Sequence, residues 1–166
     1  SRRRHTRCSR DWSSDVCSSD LDGMGHSSIT RRYRFCAAHR LHTSHLSAEE
    51  NRVVFGKCNN PNGHGHNYVV LVTIGSQGRN PAGQAIGVEA LDRIVTDRIV
   101  NRFDHHDLNQ DPEFAASTTT GENLVLLIWD LLAPQIPEGQ LRKVAVIETR
   151  DNYFEYTGPA SVAMRS

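Results

Sequence analysis

The stretch His64–Ile74 reads HGHNYVVLVTI and combines a candidate ligand pair with the strongest strand pattern in the chain. Its residues from His66 to Ile74 are rich in β-branched and aromatic side chains, a composition typical of a strand. Side chains two positions apart on an extended chain point to the same side, so His64 and His66 would face one point. The stretch therefore predicts a strand that is entered through two convergent imidazoles.

A third histidine stands at the end of another predicted strand. Ile29–Ala38 places Tyr33 and Phe35 on one face by the period of two, and His39 follows directly. If the two strands pair antiparallel, His39 reaches the same point as the other two imidazoles. Three neutral imidazoles with an open fourth position are typical of a catalytic zinc site. A His-Gly-His tripeptide alone is as readily a polar loop, and the third histidine favours the metal.

Cys58 lies six positions before His64 and leaves two roles open. It would either close the metal site as a fourth ligand or act as a thiolate base or nucleophile. Lys57 and a nearby cation would favour the thiolate.

The four cysteines form no disulfide framework, which without a signal peptide indicates free thiols in a reducing cytoplasm.

Carboxylates supply the remaining candidates. Asp104 stands beside His105, and a carboxylate next to an imidazole is the arrangement of general acids and bases. Judged by position alone, Glu122 is most simply a helix-capping residue, and Glu148 is an ordinary charge near the end of a strand.

The order of the predicted elements is strand, strand, helix, helix, strand, strand, which indicates an α+β fold. The predicted helices are Val88–Phe103, with one apolar stripe, and Gly121–Leu132, capped by Thr119 or Thr120. The other predictions are a helical patch at Ala48–Arg52, a turn at Gly75–Gly87, and a hairpin of Lys143–Thr149 and Tyr153–Tyr156.

The chain has 166 residues with 19 basic and 19 acidic side chains, enough for one domain. This balance argues against a generic nucleic-acid or membrane-surface binder, and no apolar run approaches the ~20 residues of a membrane span. Residues 1–28 lack apolar periodicity, and their stretch RDWSSDVCSSDL looks like translated adaptor sequence. We therefore expect a disordered or non-native segment at 1–28 and a functional domain at 29–160.

Several motifs, taken in order, resemble the 6-pyruvoyl/6-carboxy-tetrahydropterin synthase family. They are FCAAH at 35–39, GKCNNPNGHGHNY at 56–68, FDHHDLN at 103–109, TGEN at 120–123 and IET at 147–149. The run at 56–68 is the most specific of these. The resemblance spans residues 29–158 and excludes the N-terminal segment.

The resemblance implies the tunnelling fold: a four-stranded antiparallel sheet with two helices on one face. Such sheets close into a barrel in a trimer, and trimers pair into a hexamer; closure would also remove the exposed sheet edges. The implied activity is that of a zinc-dependent lyase, which converts 7,8-dihydroneopterin triphosphate to 6-pyruvoyl-tetrahydropterin and releases triphosphate. The implied partners are then this small molecule and further copies of the chain, with no nucleic acid and no membrane.

The resemblance also implies a role for each candidate residue. The zinc ligands would be His39, His64 and His66. The general base would be Cys58, assisted by Asp104 and His105 from a neighbouring subunit. The pterin would be bound by Glu148, Glu122 and Thr120, and Gly121 departs from the threonine often found there. The candidate cations for the triphosphate are Arg31, Arg32, Arg40 and Lys57.

Two alternatives remain open from the sequence. Five residues separate Cys58 from His64, a longer spacing than in the 6-carboxytetrahydropterin synthases of queuosine biosynthesis, and this favours the pyruvoyl-forming branch. The second alternative is a non-catalytic zinc- or pterin-binding module in which Cys58 closes a structural site.

Overall fold

The computed structural model describes residues 27–75 and 87–159. The segment predicted to be disordered or non-native lies outside these ranges, apart from its last two residues, and so does the predicted turn over 76–86. The strands are β1 (Ser28–His39), β2 (His64–Gly75), β3 (His106–Asp107), β4 (Leu141–Ile147) and β5 (Tyr153–Tyr156). The helices are α1 (Ala48–Phe55), α2 (Val88–Val95), α3 (Asn101–Phe103) and α4 (Gly121–Leu132).

The strands form one sheet in the order β3-β1-β2-β4-β5. The four longer strands pair antiparallel, and the two-residue β3 runs parallel to β1. The implied sheet of four strands is therefore corrected to five. The extra strand forms because His105 adopts a positive φ of 59° and its N–H donates to the Cys36 carbonyl at 2.6 Å. This turns the chain alongside the edge of β1.

Alternation along the strands gives the sheet one apolar face. In β1, Phe35, Ala37 and His39 are buried, whereas Cys36 and Ala38 are exposed. The buried face packs against the helices in a single core, which includes Tyr68, Val70, Val72, Leu91, Val95, Leu124 and Ile128. This is the α+β arrangement that the sequence predicts.

The longest predicted helix contains one wide turn. α2 and α3 are joined by the π-helical turn Thr96–Val100. Four apolar residues at intervals of four are all buried: Leu91, Val95, Ile99 and Phe103. In a regular helix of 3.6 residues per turn, side chains at this interval would rotate gradually away from the sheet. The wide turn absorbs one extra residue and so keeps the whole stripe against the sheet.

The other two helices begin at side-chain caps. Ser47 and Glu50 form a reciprocal capping box at the start of α1, which extends beyond the predicted end at Arg52. At the start of α4 the Thr120 hydroxyl accepts from the Asn123 N–H at 3.4 Å, and the helix has the predicted bounds. Among the helices of the described ranges, none is long and apolar enough to cross a membrane.

The predicted C-terminal hairpin is present as β4 and β5. β4 ends at Ile147, two residues before the predicted end. Glu148 therefore lies in the turn, where its N–H donates to the Asn152 carbonyl at 3.2 Å.

Candidate metal centre

The pairing of β1 with β2 brings three histidines together. His39 is directly opposite His64, and Ala37 is opposite His66, so the three side chains leave the same face of the sheet. One ligand atom from each ring lies within 4.8 Å of the others, and Nε2 of His39 is 3.2 Å from Nε2 of His64. Within residues 27–75 and 87–159, this is the one group of histidine, cysteine or acidic side chains that converges closely enough to hold a metal ion.

The nitrogen donors suit a metal ion that binds neutral imidazole. His39 Nδ1 donates to the Thr119 carbonyl at 2.8 Å, which leaves Nε2 as the free lone pair. Burial lowers the pKa of His39 and of His66, so both rings are neutral near pH 7. Nδ1 of His64 and Nε2 of His66 are buried without a hydrogen-bond partner among the described residues. An unpaired buried nitrogen requires an explanation, and a metal ligand provides one for His66.

Glu148 and Tyr68 lie beside the three histidines. Oε1 of Glu148 is 3.6 Å from Nε2 of His39 and 4.0 Å from Nε2 of His66. The Tyr68 hydroxyl donates to the same oxygen at 3.4 Å. Burial, and then the charge of Glu148, raise the pKa of Tyr68, so its hydroxyl remains a donor. Reasoning from the residues gave Tyr68 no role, although the period of two along β2 places it on the side of His64 and His66.

Cys58 lies near this centre without joining it. It belongs to the 3-10 turn Gly56–Asn59 and is half-buried, and its carbonyl accepts from the Leu41 N–H at 2.9 Å. Among the causes that raise the pKa of Tyr68, Cys58 comes last, after burial and then the charge and the hydrogen bond of Glu148. Its sulfur does not converge with the histidine nitrogens. This geometry favours an open three-histidine site over a closed site with Cys58 as the fourth ligand.

Asp104 and His105 lie at the edge of the sheet. Oδ1 of Asp104 accepts from the Cys36 N–H at 2.8 Å, and Oδ2 is 3.7 Å from Nε2 of His105. The His105 side chain is 82% exposed. In the described part of the chain, neither side chain is hydrogen-bonded or ion-paired to the three histidines. The pair is presented outward, where another molecule can meet it.

Thr120 and Glu122 lie at the start of α4. The Thr120 hydroxyl is engaged with the backbone of Asn123. Glu122 is exposed and makes no hydrogen bond or ion pair within the described ranges. Thr119, the residue before Thr120, contacts the three histidines instead, because its backbone carbonyl accepts from His39. A backbone carbonyl in this role leaves no sequence pattern by which to find it.

Asn109 joins the segments on both sides of His39. Its Oδ1 accepts from the Arg40 N–H at 2.6 Å, and its Nδ2 donates to the Arg40 carbonyl at 2.9 Å. The same Nδ2 is 3.3 Å from the Thr119 hydroxyl, which in turn donates to the Arg40 carbonyl at 3.3 Å. One amide thus holds together the backbone after His39 and the loop that orients its ring. Reasoning from the residues missed this role.

Comparison with known proteins identifies similar chains. The family model described as 6-pyruvoyl tetrahydropterin synthase matches residues 28–159. The chain is 44% identical over 131 residues to the 6-pyruvoyl tetrahydrobiopterin synthase of Homo sapiens, covering 78% of this chain and 90% of the relative. It is 41% identical over 133 residues to that of Drosophila melanogaster, covering 79% of each. The solved 6-pyruvoyl tetrahydropterin synthase of Caenorhabditis elegans matches with a TM-score of 0.77 and 35% identity, over 82% of this chain and 98% of that one.

Proposed function

The chain belongs to the 6-pyruvoyl tetrahydropterin synthase family, and we propose that it is a zinc-dependent lyase acting on 7,8-dihydroneopterin triphosphate. Its products are 6-pyruvoyl-tetrahydropterin and inorganic triphosphate. The observation that carries the proposal is the convergence of three histidine nitrogens on one point. The protein is 44% identical to a 6-pyruvoyl tetrahydrobiopterin synthase, and these three nitrogens could bind a catalytic metal ion.

His39, His64 and His66 would hold the zinc. A set of three protein nitrogens that leaves a fourth position for substrate suits a catalytic rather than a structural ion. Bound zinc would supply Lewis-acid polarisation of the side-chain hydroxyls of the substrate. The Thr119 carbonyl keeps the His39 tautomer that presents Nε2 to the ion.

Cys58 is the proposed base. Its thiolate removes protons from the three-carbon side chain of the pterin, and the carbon–oxygen bond to triphosphate breaks with its electron pair leaving on the triphosphate. The rearrangement is internal to the substrate, so it needs no external oxidant. The thiol is half-buried on the turn Gly56–Asn59, and its position six residues before His64 supports a place near the reacting side chain.

Glu148 is the proposed anchor of the pterin ring. The guanidine-like edge of a pterin presents two N–H groups, which a carboxylate accepts together. The Glu148 side chain is only 12% exposed, and Asn152 Nδ2 donates to its Oε2 at 3.3 Å, so the carboxylate is held in place. Thr120 and Glu122 would border the same pocket.

Asp104 and His105 are proposed to serve the site of a neighbouring copy in a homo-oligomer, a trimer or hexamer. Their exposure at the sheet edge supports this placement.

We also propose a cytoplasmic location, because Cys36 and Cys58 are free thiols of the kind that a reducing compartment preserves.

Mass spectrometry of the products tests the proposed function. The zinc-loaded protein should convert 7,8-dihydroneopterin triphosphate to 6-pyruvoyl-tetrahydropterin and triphosphate. A 6-carboxy product would assign the chain to the other branch of the family, and no turnover would favour a binding module.

The Cys58→Ala variant separates a base from a metal ligand. It should lose about 10²- to 10⁴-fold in rate, the usual contribution of a general base, while its zinc content stays unchanged. The matched control is Cys36→Ala, because the Cys36 thiol is exposed and, among the described residues, is hydrogen-bonded to Asn67 alone. Loss of zinc from Cys58→Ala, with fold destabilisation, would contradict the proposed role.

A further inference from the structure

Asn59 is a buried amide residue that directly follows the proposed base. It is only 5% exposed, and it is the last residue of the 3-10 turn Gly56–Asn59, which contains Cys58. Buried polar side chains are normally hydrogen-bonded. The partners of Asn59 therefore show which part of the chain it holds in place.

Asn59 binds three consecutive residues of the segment 40–42. Its Nδ2 donates to the Leu41 carbonyl at 2.6 Å and to Nδ1 of His42 at 3.1 Å. Its backbone carbonyl accepts from Arg40 Nε at 3.1 Å. A carbonyl can only accept, so the contact with Leu41 identifies the amide nitrogen as the atom on this side.

The backbone of the turn binds the same segment. The Leu41 N–H donates to the Cys58 carbonyl at 2.9 Å, while the Leu41 carbonyl accepts from the Asn59 side chain. Leu41 is thus bonded to the turn through both of its backbone polar groups. Two bonds to one residue fix the orientation of the turn as well as its distance from the segment.

The segment 40–42 begins directly after His39, one of the proposed zinc ligands. The Asn109 amide holds the backbone of its first residue, Arg40. The loop after Cys58 returns to His39 at Gly63, where an added Cβ would lie 3.0 Å from the His39 carbonyl oxygen. The segment therefore connects a proposed metal ligand with the turn that contains the thiol.

We propose that Asn59 is a positioning residue, which fixes the place of the Cys58 thiol relative to the three histidines. The role of Cys58 as a base rests on the proposed function; the attachment of its turn to residues 40–42 does not. A general base must lie within hydrogen-bond reach of the proton that it removes. A displacement of about 1 Å can reduce a rate about 10²-fold, so the attachment matters for proton transfer.

Steady-state kinetics of Asn59→Ala test the effect on the reaction. The kcat should fall about 10- to 100-fold, whereas KM and the zinc content should stay unchanged, because the pterin anchor and the histidines are intact. A merely structural role would not separate kcat from KM and zinc content in this way. An unchanged kcat, a rise in KM alone, or loss of zinc would overturn the proposal.

The matched control for these kinetics is Asn60→Ala. Asn60 is the next residue in the chain and is exposed, and its Oδ1 accepts from the Asn62 N–H at 3.2 Å, within the loop itself. The control should keep the kcat of the unchanged protein. A loss of kcat equal to that of Asn59→Ala would overturn the proposal.

Alkylation of Cys58 by iodoacetamide gives a second readout that does not require turnover. Peptide mass spectrometry follows the rate at each cysteine of the folded protein. In Asn59→Ala the rate at Cys58 should rise about tenfold, because two lost hydrogen bonds make local opening of the half-buried turn easier. The rate at the exposed Cys36 in the same sample should be unchanged. An unchanged rate at Cys58 would overturn the proposal.

His42→Phe tests the attachment from the opposite side. It keeps an aromatic ring but removes the Nδ1 acceptor of the Asn59 amide, and it leaves the turn itself unaltered. A decrease in kcat and an increase in Cys58 alkylation, each about threefold, are expected from the loss of one hydrogen bond. If Asn59→Ala does not fold, this variant decides: no change in either quantity would overturn the proposal.

Failure of the positioning role and failure of the proposed function give different results. Faster alkylation of Cys58 in Asn59→Ala, in a protein that does not turn over the pterin substrate, would support the attachment and refute the proposed function. Normal turnover of the unchanged protein, with kcat and Cys58 alkylation both unaffected by Asn59→Ala, would refute the positioning role alone.

Discussion

Asn109 helps to orient His39, one of the three converging histidines, without contacting it directly. Its amide holds the Arg40 backbone through two hydrogen bonds and reaches the Thr119 hydroxyl. The Thr119 carbonyl in turn orients His39. Partners of this kind fix ring orientation and tautomer, and their loss typically weakens metal binding 10- to 100-fold.

We therefore expect Asn109→Ala to lower zinc affinity by about 10- to 100-fold, measured by competition with a chromophoric chelator. Asn101→Ala is the matched control, because Asn101 is exposed and bonded only to Asp97 at 3.4 Å. Unchanged zinc affinity in Asn109→Ala would show that Thr119 is positioned by other contacts.

At the scale of elements, Gly121 allows α4 to pack against β5. A Cβ at this position would lie 2.1 Å from Cε2 of Phe154, far inside van der Waals contact. The aromatic ring thus fills the space that a side chain at residue 121 would need. Phe154 therefore explains why glycine, and not the threonine often found in the family, stands at position 121.

Gly121→Ala should therefore destabilise the fold by about 1–3 kcal/mol, the usual cost of overpacking, measured by urea denaturation. Gly87→Ala is a suitable control, because the nearest atom to its added Cβ is Oε2 of Glu89 at 3.8 Å. Equal stability of the two variants would mean that Phe154 moves aside freely.

The end of α3 is tied to the following turn by an ion pair. Arg102 donates to both oxygens of Asp111 at 2.7 Å, and these hydrogen bonds hold the pKa of Asp111 below its ordinary value. A depressed carboxyl pKa stabilises the fold above the unfolded pKa, and this contribution is lost as the pH falls through the folded pKa.

Asp111→Asn should accordingly cost about 1.5–3 kcal/mol near pH 7, as for other hydrogen bonds to charged groups. The difference in free energy of unfolding between the two proteins should shrink as the pH falls below about 4, followed by urea denaturation at each pH. Asp130→Asn, at an exposed position, is the matched control. A difference that is independent of pH would contradict the ion pair as its source.

At the scale of the whole molecule, we propose that one site takes residues from two copies of the chain. The three histidines lie on the buried face of the sheet, whereas Asp104 and His105 lie at its outer edge with His105 largely exposed. This separation supports a site that is shared between two copies of the chain. Active sites shared in this way can be restored by mixing two inactive variants.

Co-expressed Cys58→Ala and His105→Ala chains should therefore recover activity that neither has alone. In randomly mixed oligomers about one quarter of the sites would receive Cys58 from one variant and His105 from the other. Turnover per subunit, measured on purified mixed oligomers, checks this. The control is a double variant with both changes in one chain mixed with either single variant. Recovery in neither mixture would place both residues in one subunit.

The sequence by itself predicted the three histidines that converge and the main strands. The period of two in 64–74 and 29–38 is a local pattern, and it requires only one antiparallel pairing to bring His39 to His64. The helix over Gly121–Leu132 was likewise predictable, because its apolar spacing and its threonine cap are adjacent in the chain.

Reasoning from residue pattern alone could not place distant residues beside the three histidines; the family resemblance implied a role for Glu148, and the tertiary structure brings it there. Glu148 stands 80 or more residues from the histidines and Tyr68, and by its position it was indistinguishable from an edge charge. The pairing of Arg31 with Asp92 also joins residues far apart in the chain. The strand β3 depended on the positive φ of His105. Contacts of this kind form between segments far apart in the chain, and local periodicity carries no information about them.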